Sequence, residues 1–385
     1  MEWEEFEMER WQSEWENQVR YNLSESGVHP MQLKELISED MLPDLLNQRL
    51  GYIQTNGSEE LRSRIALMYA GAGIDNILVT NGSSEANLVV VLTMLNRGDE
   101  VALMLPNYMQ IWGVARGLDI EVKPFWLQEG DKWQLDLQRL KELVTPRTKM
   151  IIICSPNNPT GAVLAEDELD EICRIADKVG AWVLADEVYR GAELEGEISP
   201  SIWGRYEKTL ITCGFSKAYG LPGLRIGWIV GPTDAIAKCW SYHDYTTICA
   251  STLSDMLASI ALSLPQRKKI LERARGIVRG NLPVLKDLIA GHADSLSLTE
   301  PRAGAIAFVK YRLKINSTEL AQRLLKEKSV LIVPGDHFGM DGYMRIGYGP
   351  EKEYLTAGLS LIHQLINEIK GKVTSKVHYE ANGNI

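Results

Sequence analysis

From Ile77 onward, short runs of apolar residues alternate with segments in which apolar residues recur at helical spacing. The runs are continuously apolar, which is typical of strands that are covered on both faces of a sheet. The predicted strands are Ile77–Thr80, Val101–Leu105, Met150–Cys154, Trp182–Ala185, Leu210–Cys213 and Ile226–Val230. Helical patterns such as Glu85–Leu95 and Glu166–Val179 separate them. The pattern predicts an α/β protein with a mostly parallel central sheet flanked by helices.

The pattern changes after Pro232, where helical periodicity dominates and a long charged helix is predicted from Gln266 to about Ile289. Further strands are predicted at 305–311, 330–334 and 343–347, with helices at Ser317–Lys328 and Glu351–Lys370. These elements predict a second, smaller α+β domain. The predicted division is 1–45 for an N-terminal helix and a segment of the small domain, 46–285 for the large domain, 286–370 for the small C-terminal domain and 371–385 for a mobile tail without a core pattern.

The first 20 residues are rich in glutamate and place large apolar residues at roughly helical spacing. These residues are Trp3, Phe6, Trp11, Trp15 and Val19. They predict an amphipathic helix with an aromatic face. This face packs either on the body of the protein or on a second subunit, and the alternative is a lid over a substrate site.

Composition narrows the possible functions. The chain of 385 residues has 41 Lys and Arg against 51 Asp and Glu, a net charge of −10, so no basic surface indicates nucleic acid or anionic membrane. Its five cysteines form neither a CxxC pair nor a metal-ligand spacing, and we predict no metal site. We see no signal-peptide core and no apolar run long enough to span a membrane. Reduced, largely core cysteines predict a cytoplasmic protein.

A glycine-punctuated stretch, Cys213–Gly227, joins two predicted strands and contains two cations, Lys217 and Arg225. Such a turn lets the backbone approach a ligand closely. Loss of hydration is expected to lower the pKa of Lys217 toward the neutral, nucleophilic amine. Arg225 keeps its charge and suits a phosphate. A surface loop with two solvated cations is the alternative.

Other strand ends carry polar residues where an open α/β sheet binds ligands. Asn81–Ala86 opens a helix, and its backbone N–H groups with the Ser83 and Ser84 hydroxyls form either a phosphate cradle or an ordinary N-cap turn. Asn158 follows the third strand within a rigid turn. Asp186 ends the fourth, and a buried carboxylate there needs a cationic partner.

A phosphorylated pyridine aldehyde uses all of these groups, because a lysine binds its carbonyl carbon, a carboxylate keeps its ring nitrogen protonated and a cradle holds its phosphate. The ordered motifs Asn158-Pro-Thr-Gly161, Asp186-x-x-Tyr189 and Ser216-Lys217, followed by Leu224-Arg-Ile-Gly227, resemble the class I/II aminotransferases. These are pyridoxal-phosphate (PLP) enzymes of fold type I, the aspartate aminotransferase fold. The resemblance runs from about residue 22 to about residue 369.

The resemblance implies roles for individual residues. Lys217 forms the Schiff base with PLP and moves the substrate proton. Asp186 pairs with the pyridine nitrogen, Tyr189 and Asn158 form hydrogen bonds to the ring oxygen O3′, and Tyr108 stacks on the ring.

The phosphate is expected to lie against a further group of residues, namely Gly82, Ser83, Ser84, Ser216 and Arg225. Tyr52 matches the tyrosine that reaches the phosphate of the neighbouring subunit, which implies a homodimer. One position departs from many relatives: Gly214 stands where they carry serine, which removes one hydroxyl donor to the phosphate.

Arg345 matches the arginine that binds the substrate α-carboxylate through a bidentate contact. Asn158 and the loop residues Gly27, Val28 and His29 are also expected at the substrate. No second arginine stands out for a side-chain carboxylate, which disfavours a dedicated aspartate enzyme.

Some motifs, among them the Ser26-Gly27-Val28-His29 stretch, also resemble capreomycidine synthase, which cyclises a hydroxylated arginine. Glu25, His29, His243 or Asp244 would then meet a cationic or polar side chain, or else they are loop-capping and surface residues.

The predicted activity is therefore an aminotransferase that moves an amino group between an L-α-amino acid and a 2-oxo acid. The alternative is a PLP-dependent lyase or cyclase that performs elimination or capreomycidine synthase-like chemistry. A non-catalytic binding domain is disfavoured because the full set of site residues is present.

Overall fold

A mixed eight-stranded sheet lies at the centre of the protein, in a computed structural model that describes residues 3–381, apart from the side chains of residues 131 and 372–381. The strands are β1 Tyr21–Asn22, β2 Ile77–Thr80, β3 Glu100–Leu105, β4 Glu121–Gln128, β5 Gln134–Leu135, β6 Thr148–Cys154, β7 Trp182–Asp186, β8 Thr209–Gly214, β9 Gly227–Val230, β10 Leu296–Leu298, β11 Ile306–Tyr311, β12 Val330–Leu331, β13 Val333–Pro334 and β14 Tyr343–Gly347.

Thirteen α-helices surround the sheets within the described residues. They are α1 Glu7–Trp15, α2 Leu33–Leu36, α3 Leu42–Asn47, α4 Glu59–Ala66, α5 Gly82–Met94, α6 Gln110–Gly117, α7 Leu137–Leu143, α8 Glu166–Val179, α9 Thr233–His243, α10 Thr252–Leu262, α11 Leu264–Ala290, α12 Ser317–Lys328 and α13 Lys352–Ala381. Short 3₁₀ helices lie at Glu39–Met41, Ile74–Asn76, Glu129–Asp131, Pro222–Leu224 and Gly335–Phe338.

The order of strands in the large sheet is β2-β9-β8-β7-β6-β3-β4-β5. The strands from β8 to β4 are parallel to their neighbours, whereas β9 runs antiparallel to both β2 and β8, and β5 runs antiparallel to β4. Asp186 pairs in register with Cys154 on one side and Thr212 on the other. The ends of three parallel strands therefore meet at one edge of the sheet, which confirms the predicted α/β architecture.

All six strands predicted for the large sheet are present, with ends within two residues of those expected, whereas the strand predicted at 330–334 is divided into β12 and β13. The strand β4 was not predicted, because Pro124 and charged residues interrupt its apolar pattern and only Phe125 and Leu127 are fully buried in it. Ser58 caps the start of α4, since its hydroxyl accepts a hydrogen bond from the Leu61 N–H at 3.2 Å.

The small domain contains an antiparallel sheet in the order β10-β11-β14-β13. Strand β1 pairs in parallel with β12, so residues 21–22 lie against this domain. Helix α13 continues to Ala381, beyond the predicted helix end at Lys370, and residues 382–385 of the predicted tail lie outside the described part of the chain. The division into domains remains a prediction.

Both faces of the large sheet are covered, because helices such as α5 and α8 pack their buried residues against it. Trp228 and Phe125 are among the largest side chains in this core. In the described residues, every helix is too short or too polar to cross a membrane.

Candidate active site

A cavity of about 280 Å³ lies at the carboxyl ends of the parallel strands. Most of the residues predicted for cofactor or substrate binding line it, namely Ser83, Ser84, Tyr108, Asn158, Asp186, Tyr189, Ser216, Lys217, Arg225 and Arg345. These residues come from separate strand ends and loops, as the family resemblance implies. The cavity is therefore the candidate active site.

One side of the cavity is a tightly packed glycine cradle. Gly82 begins α5 with a positive φ of 79°, and a Cβ atom on it would overlap the guanidinium of Arg225. A Cβ on Gly227 would likewise overlap the backbone of Gly82 and Ser83. Arg225 Nη1 lies 3.4 Å from the Ser216 hydroxyl oxygen. The N–H groups of the first helical turn lack intrahelical acceptors, so the cradle combines free donors with a fixed positive charge.

Gly214, the residue that departs from the family pattern, lies against the same cradle. An ideal Cβ there would be 3.0 Å from the Ile226 carbonyl oxygen and 3.5 Å from the Ser83 nitrogen. A serine side chain would need small shifts of this backbone. The backbone at Gly214 therefore lies close to that of Ile226 and to the start of α5.

Asp186 is 7 % exposed at the end of β7. Its oxygens accept hydrogen bonds from the Val188 N–H at 3.0 Å and from Asn87 Nδ2 at 3.3 Å. Asn87 in turn accepts a hydrogen bond from the Thr212 hydroxyl at 2.6 Å, which holds its amide in place. Burial raises the pKa of Asp186. Among the described side chains, no basic nitrogen lies within 4.0 Å of the Asp186 carboxylate, so this carboxylate forms no ion pair with them.

Arg345 lies on β14 and is 1 % exposed. Its guanidinium donates hydrogen bonds to the Ser24 carbonyl at 2.6 Å and to Asn158 Oδ1 at 3.0 Å, while its Nε has no hydrogen-bond partner. Because the Asn158 oxygen is occupied, the Asn158 amide directs its N–H₂ group elsewhere. The Tyr189 hydroxyl is also buried, and no described residue forms a hydrogen bond with it. The cavity thus contains buried polar atoms that a bound molecule could satisfy.

Lys217 is held on a short turn that is fixed by aromatic packing. Phe215 is fully buried, with its ring centroid 4.9 Å from that of Tyr219 and 5.5 Å from that of Trp228. The Leu221 N–H also donates to the Phe215 carbonyl at 3.0 Å. The backbone on both sides of Lys217 is therefore anchored in the core.

The predicted lowering of the Lys217 pKa is wrong. Burial does act in that direction, but Lys217 Nζ donates a hydrogen bond to Glu25 Oε1 at 3.0 Å, and the negative charge of Glu25 raises the pKa of Lys217 overall. The same ion pair lowers the pKa of Glu25 to about 2. Without a bound ligand, the amine is therefore a protonated ion-pair partner rather than a nucleophile.

The ion pair leads to a prediction about cofactor capture. In Glu25→Gln, the pKa of Lys217 is expected to fall, so more amine is neutral at a given pH and the pH profile for covalent capture of added PLP shifts to lower pH. The rate at pH 7 should rise several-fold. Stopped-flow absorbance of the apo-protein mixed with PLP measures it. The exposed Glu39→Gln change is the matched control, and a profile that is identical in Glu25→Gln and wild type would contradict the prediction.

Helix α1 forms a wall of the cavity through residues that sequence reasoning did not identify. Met8, Glu9, Gln12 and Glu16 line the cavity. Glu9 accepts a hydrogen bond from the Tyr108 hydroxyl at 2.7 Å, and Gln12 accepts one from Arg345 Nη2 at 3.3 Å. Residues 9, 12 and 16 are polar and are spaced so that they lie on one face of a helix. This spacing is the sequence signal that could have identified them as lining residues.

The aromatic face of the N-terminal segment packs on the body of the chain, as one of the two alternatives predicted. The Phe6 ring lies edge-on to Tyr108 at 5.2 Å between centroids, and Trp11 Nε1 donates to the Ile332 carbonyl at 2.8 Å. The same helix also covers the cavity, so the two predicted alternatives are compatible.

Five of the predicted residues do not line the cavity, and one of them is Gly82, which lies behind Arg225 in the glycine cradle. Tyr52 is 86 % exposed in the single chain. Gly27 lies close behind the lysine turn, where its Cβ would be 3.1 Å from the Ser216 carbonyl oxygen, and Val28 packs beside Gly220. His29 contacts Arg273, whose Nη2 is 3.1 Å from the His29 Nδ1.

The side-chain candidates on the segment after α9 also lie outside the cavity. His243 is fully buried, with its Nε2 3.3 Å from Glu85 Oε2, and Asp244 is exposed. Thr247 donates to Glu85 Oε1 at 2.7 Å and accepts from Asn81 Nδ2 at 2.6 Å. This network stabilises the start of α5 behind the glycine cradle.

Residues 22–362 match the model of the family described as aminotransferase class I and II. The chain belongs to this family. Members are PLP-dependent enzymes of fold type I, so the resemblance and the predicted fold are both confirmed.

Individual relatives differ in their activities. The chain is 29 % identical over 338 residues to an aspartate aminotransferase of Streptomyces avermitilis, covering 83 % of this chain and 82 % of that protein. It is 28 % identical over 363 residues to capreomycidine synthase of Streptomyces vinaceus, covering 93 % and 92 %. The crystal structure of a PLP-dependent aminotransferase from Streptococcus suis superposes with a TM-score of 0.90 at 35 % identity, covering 96 % of this chain and 99 % of that one.

Proposed function

We propose that this protein is a PLP-dependent aminotransferase that moves an amino group between an L-α-amino acid and a 2-oxo acid. The observation that carries the proposal is the convergence, in one cavity, of Lys217, the buried Asp186 without an ion-pair partner, and the glycine cradle with Arg225. Family membership supports the reaction class.

The residues present fit PLP. Asp186 requires a cation, and a protonated pyridine nitrogen supplies one. The buried Tyr189 hydroxyl has no hydrogen-bond partner, and the Asn158 N–H₂ group is available for the ring oxygen. The cradle of Gly82, with the charge of Arg225, suits a phosphate dianion. When bound, PLP serves as an electron sink for negative charge at the substrate Cα.

The chain itself supplies binding and proton transfer. Lys217 would attach PLP covalently and then, as a free amine, carry the proton to and from the substrate Cα. Arg345 would bind the substrate α-carboxylate, and its orientation is fixed by Ser24 and Asn158. Helix α1 would exclude water from the cavity, because Met8 and Gln12 contact the same guanidinium.

The test of this function is the half-reaction. Holoenzyme mixed with an amino acid alone should convert its bound cofactor once, without turnover, and a 2-oxo acid should restore the original spectrum. Steady-state rates should follow a ping-pong law. A protein that neither binds PLP nor changes its spectrum with any amino acid would contradict the proposal.

A lyase or cyclase is the second candidate, because the similarity to capreomycidine synthase covers 93 % of the chain. Its signature would be continuous release of ammonia or of a cyclic product at a rate that is independent of any 2-oxo acid. The same assay, run with and without 2-oxo acid, therefore separates the two candidates.

We further propose a homodimer in which Tyr52 reaches the cofactor phosphate of the neighbouring subunit. Tyr52 belongs to a group of apolar or aromatic side chains that are at least three-quarters exposed in the single chain: Leu46, Leu50, Tyr52, Leu67, Tyr245 and Leu264. Exposure of this kind is typical of an interface. Sedimentation velocity should give about twice the chain mass of 43.2 kDa, and a monomer would contradict the proposal. A cytoplasmic location remains a prediction.

A further inference from the structure

Three carboxylates line the candidate active site in addition to Asp186. Glu9 and Glu16 come from α1 and its C-terminal end, and Glu25 comes from the loop after β1. Each is partly exposed rather than withdrawn into the core. These groups concentrate negative charge in a cavity of about 280 Å³.

Under the proposed function, the three cationic side chains in the cavity bind groups other than these carboxylates. Arg225 faces the glycine cradle, Arg345 is assigned to the α-carboxylate, and Lys217 is assigned to the cofactor. Lys217 is the ion-pair partner of Glu25 in the present structure, at 3.0 Å. If Lys217 were bound covalently to the cofactor, Glu25 would be left without this ion-pair partner.

Neither of the other two carboxylates forms an ion pair with a described side chain. Glu9 accepts a hydrogen bond from the neutral Tyr108 hydroxyl, which leaves its negative charge in place. For Glu16, burial and the charges of Glu25 and Glu9 raise the pKa of its carboxyl, which reflects repulsion within the group. A bound cation would relieve this repulsion.

Two buried donors, assigned above to the cofactor and to the substrate carboxylate, mark this cavity as a ligand site. The Tyr189 hydroxyl, whose residue is 2 % exposed, lines the same cavity and has no hydrogen-bond partner. Arg345 Nε is buried and equally without a partner. The carboxylates therefore lie around the space in which an amino acid would bind.

We propose that the amino acid substrate carries a positive charge, an ammonium or a guanidinium, on its side chain, and that Glu9 and Glu16 determine this specificity together with Glu25. The inference rests on the proposed function. In this arrangement, Arg345 binds the α-carboxylate of the substrate. Glu9 and Glu16 form charge-assisted hydrogen bonds with the ammonium or guanidinium of the substrate side chain.

The first experiment measures binding without turnover. Isothermal titration calorimetry of the holoenzyme compares 5-guanidinopentanoate with 5-ureidopentanoate, which have nearly the same shape, differ in charge and lack the reacting amino group. The guanidino compound should bind about 10- to 100-fold more tightly. In Glu9→Gln/Glu16→Gln this ratio should fall to a few-fold, because the uncharged amides keep the shape of the site.

A matched variant controls for nonspecific effects on the helix. Glu14→Gln changes an exposed carboxylate of α1 that pairs with Arg10 at 3.2 Å, outside the cavity, and should keep the wild-type ratio. Circular dichroism and cofactor content confirm that each variant is folded and loaded. Equal affinity of wild type for both compounds, or an unchanged ratio in the double variant, would overturn the proposal.

The second experiment separates this proposal from the proposed function. Cofactor spectra are recorded with arginine, lysine, ornithine, citrulline, norleucine, aspartate and phenylalanine. The inference is supported if arginine, lysine and ornithine convert the bound cofactor faster than citrulline and norleucine do. The fastest of the three shows whether the site prefers a guanidinium or an ammonium group. Conversion led by aspartate or phenylalanine overturns the inference alone. Conversion by none of them overturns the proposed function, whatever the binding ratio.

Discussion

Replacement of Lys217 by alanine is expected to abolish covalent attachment of the cofactor and to lower turnover by roughly 10⁴-fold or more, because one side chain serves as both attachment point and proton carrier. Borohydride reduction followed by peptide mass spectrometry should place the pyridoxyl group on Lys217 in the wild-type protein. The same treatment should leave Lys217→Ala unmodified.

Lys238 provides the control for this experiment. It is an exposed lysine on α9, and Lys238→Ala should retain the cofactor and the activity of the wild-type protein. Covalent labelling of Lys217→Ala at another lysine, with activity preserved, would show that the covalent role has been assigned to the wrong residue.

The second large effect concerns Asp186. In Asp186→Asn, the charge that would keep the pyridine nitrogen protonated is lost while the shape is kept, and kcat is expected to fall by about 10²- to 10³-fold or more. Single-turnover spectra of the holoenzyme with an amino acid measure the effect. The exposed Asp177→Asn change is the control. Unaltered single-turnover rates in Asp186→Asn would remove this residue from the proposed mechanism.

The stability of the apo-protein provides a separate measure of the same carboxylate. Burial raises the pKa of Asp186 above its ordinary value of 3.8, so its folded state favours the protonated form. Its contribution to stability is therefore fully present below pH 3.8 and is lost as the pH rises through the folded pKa. The melting temperature of Asp186→Asn relative to wild type should thus increase between about pH 4 and pH 7. A difference that is constant with pH would contradict the predicted shift.

Much of the fold could be predicted because its central strands are buried on both faces. The strand at β7 is a continuous apolar run, and the carboxylate of Asp186 marks where it ends. The same logic placed Asn158 and the lysine turn at one edge of the sheet. Strand β4 escaped prediction because it is half-buried and contains Pro124, so its pattern is not that of a central strand.

The electrostatics of the site could not be predicted, because they depend on residues that are distant in sequence. Glu25 and Lys217 are 192 positions apart, and only the fold brings them within 3.0 Å. Reasoning from desolvation alone therefore gave the wrong direction for the pKa of Lys217. The polar residues of α1 that line the cavity were not predicted either, because glutamates on an N-terminal helix usually face solvent. Their role depends on the cavity that α1 covers.

The position of α1 has a consequence for how this protein can diversify. The groups that would hold the cofactor come from the sheet edge and its loops, whereas Glu9 and Glu16 belong to a helix outside the central sheet. Changes at these two positions would leave the strands and the glycine cradle untouched. Under the proposed function, substitutions at these two positions would therefore change the preferred amino acid without changing the reaction, and two descendants of this protein would then differ in substrate while they share a mechanism.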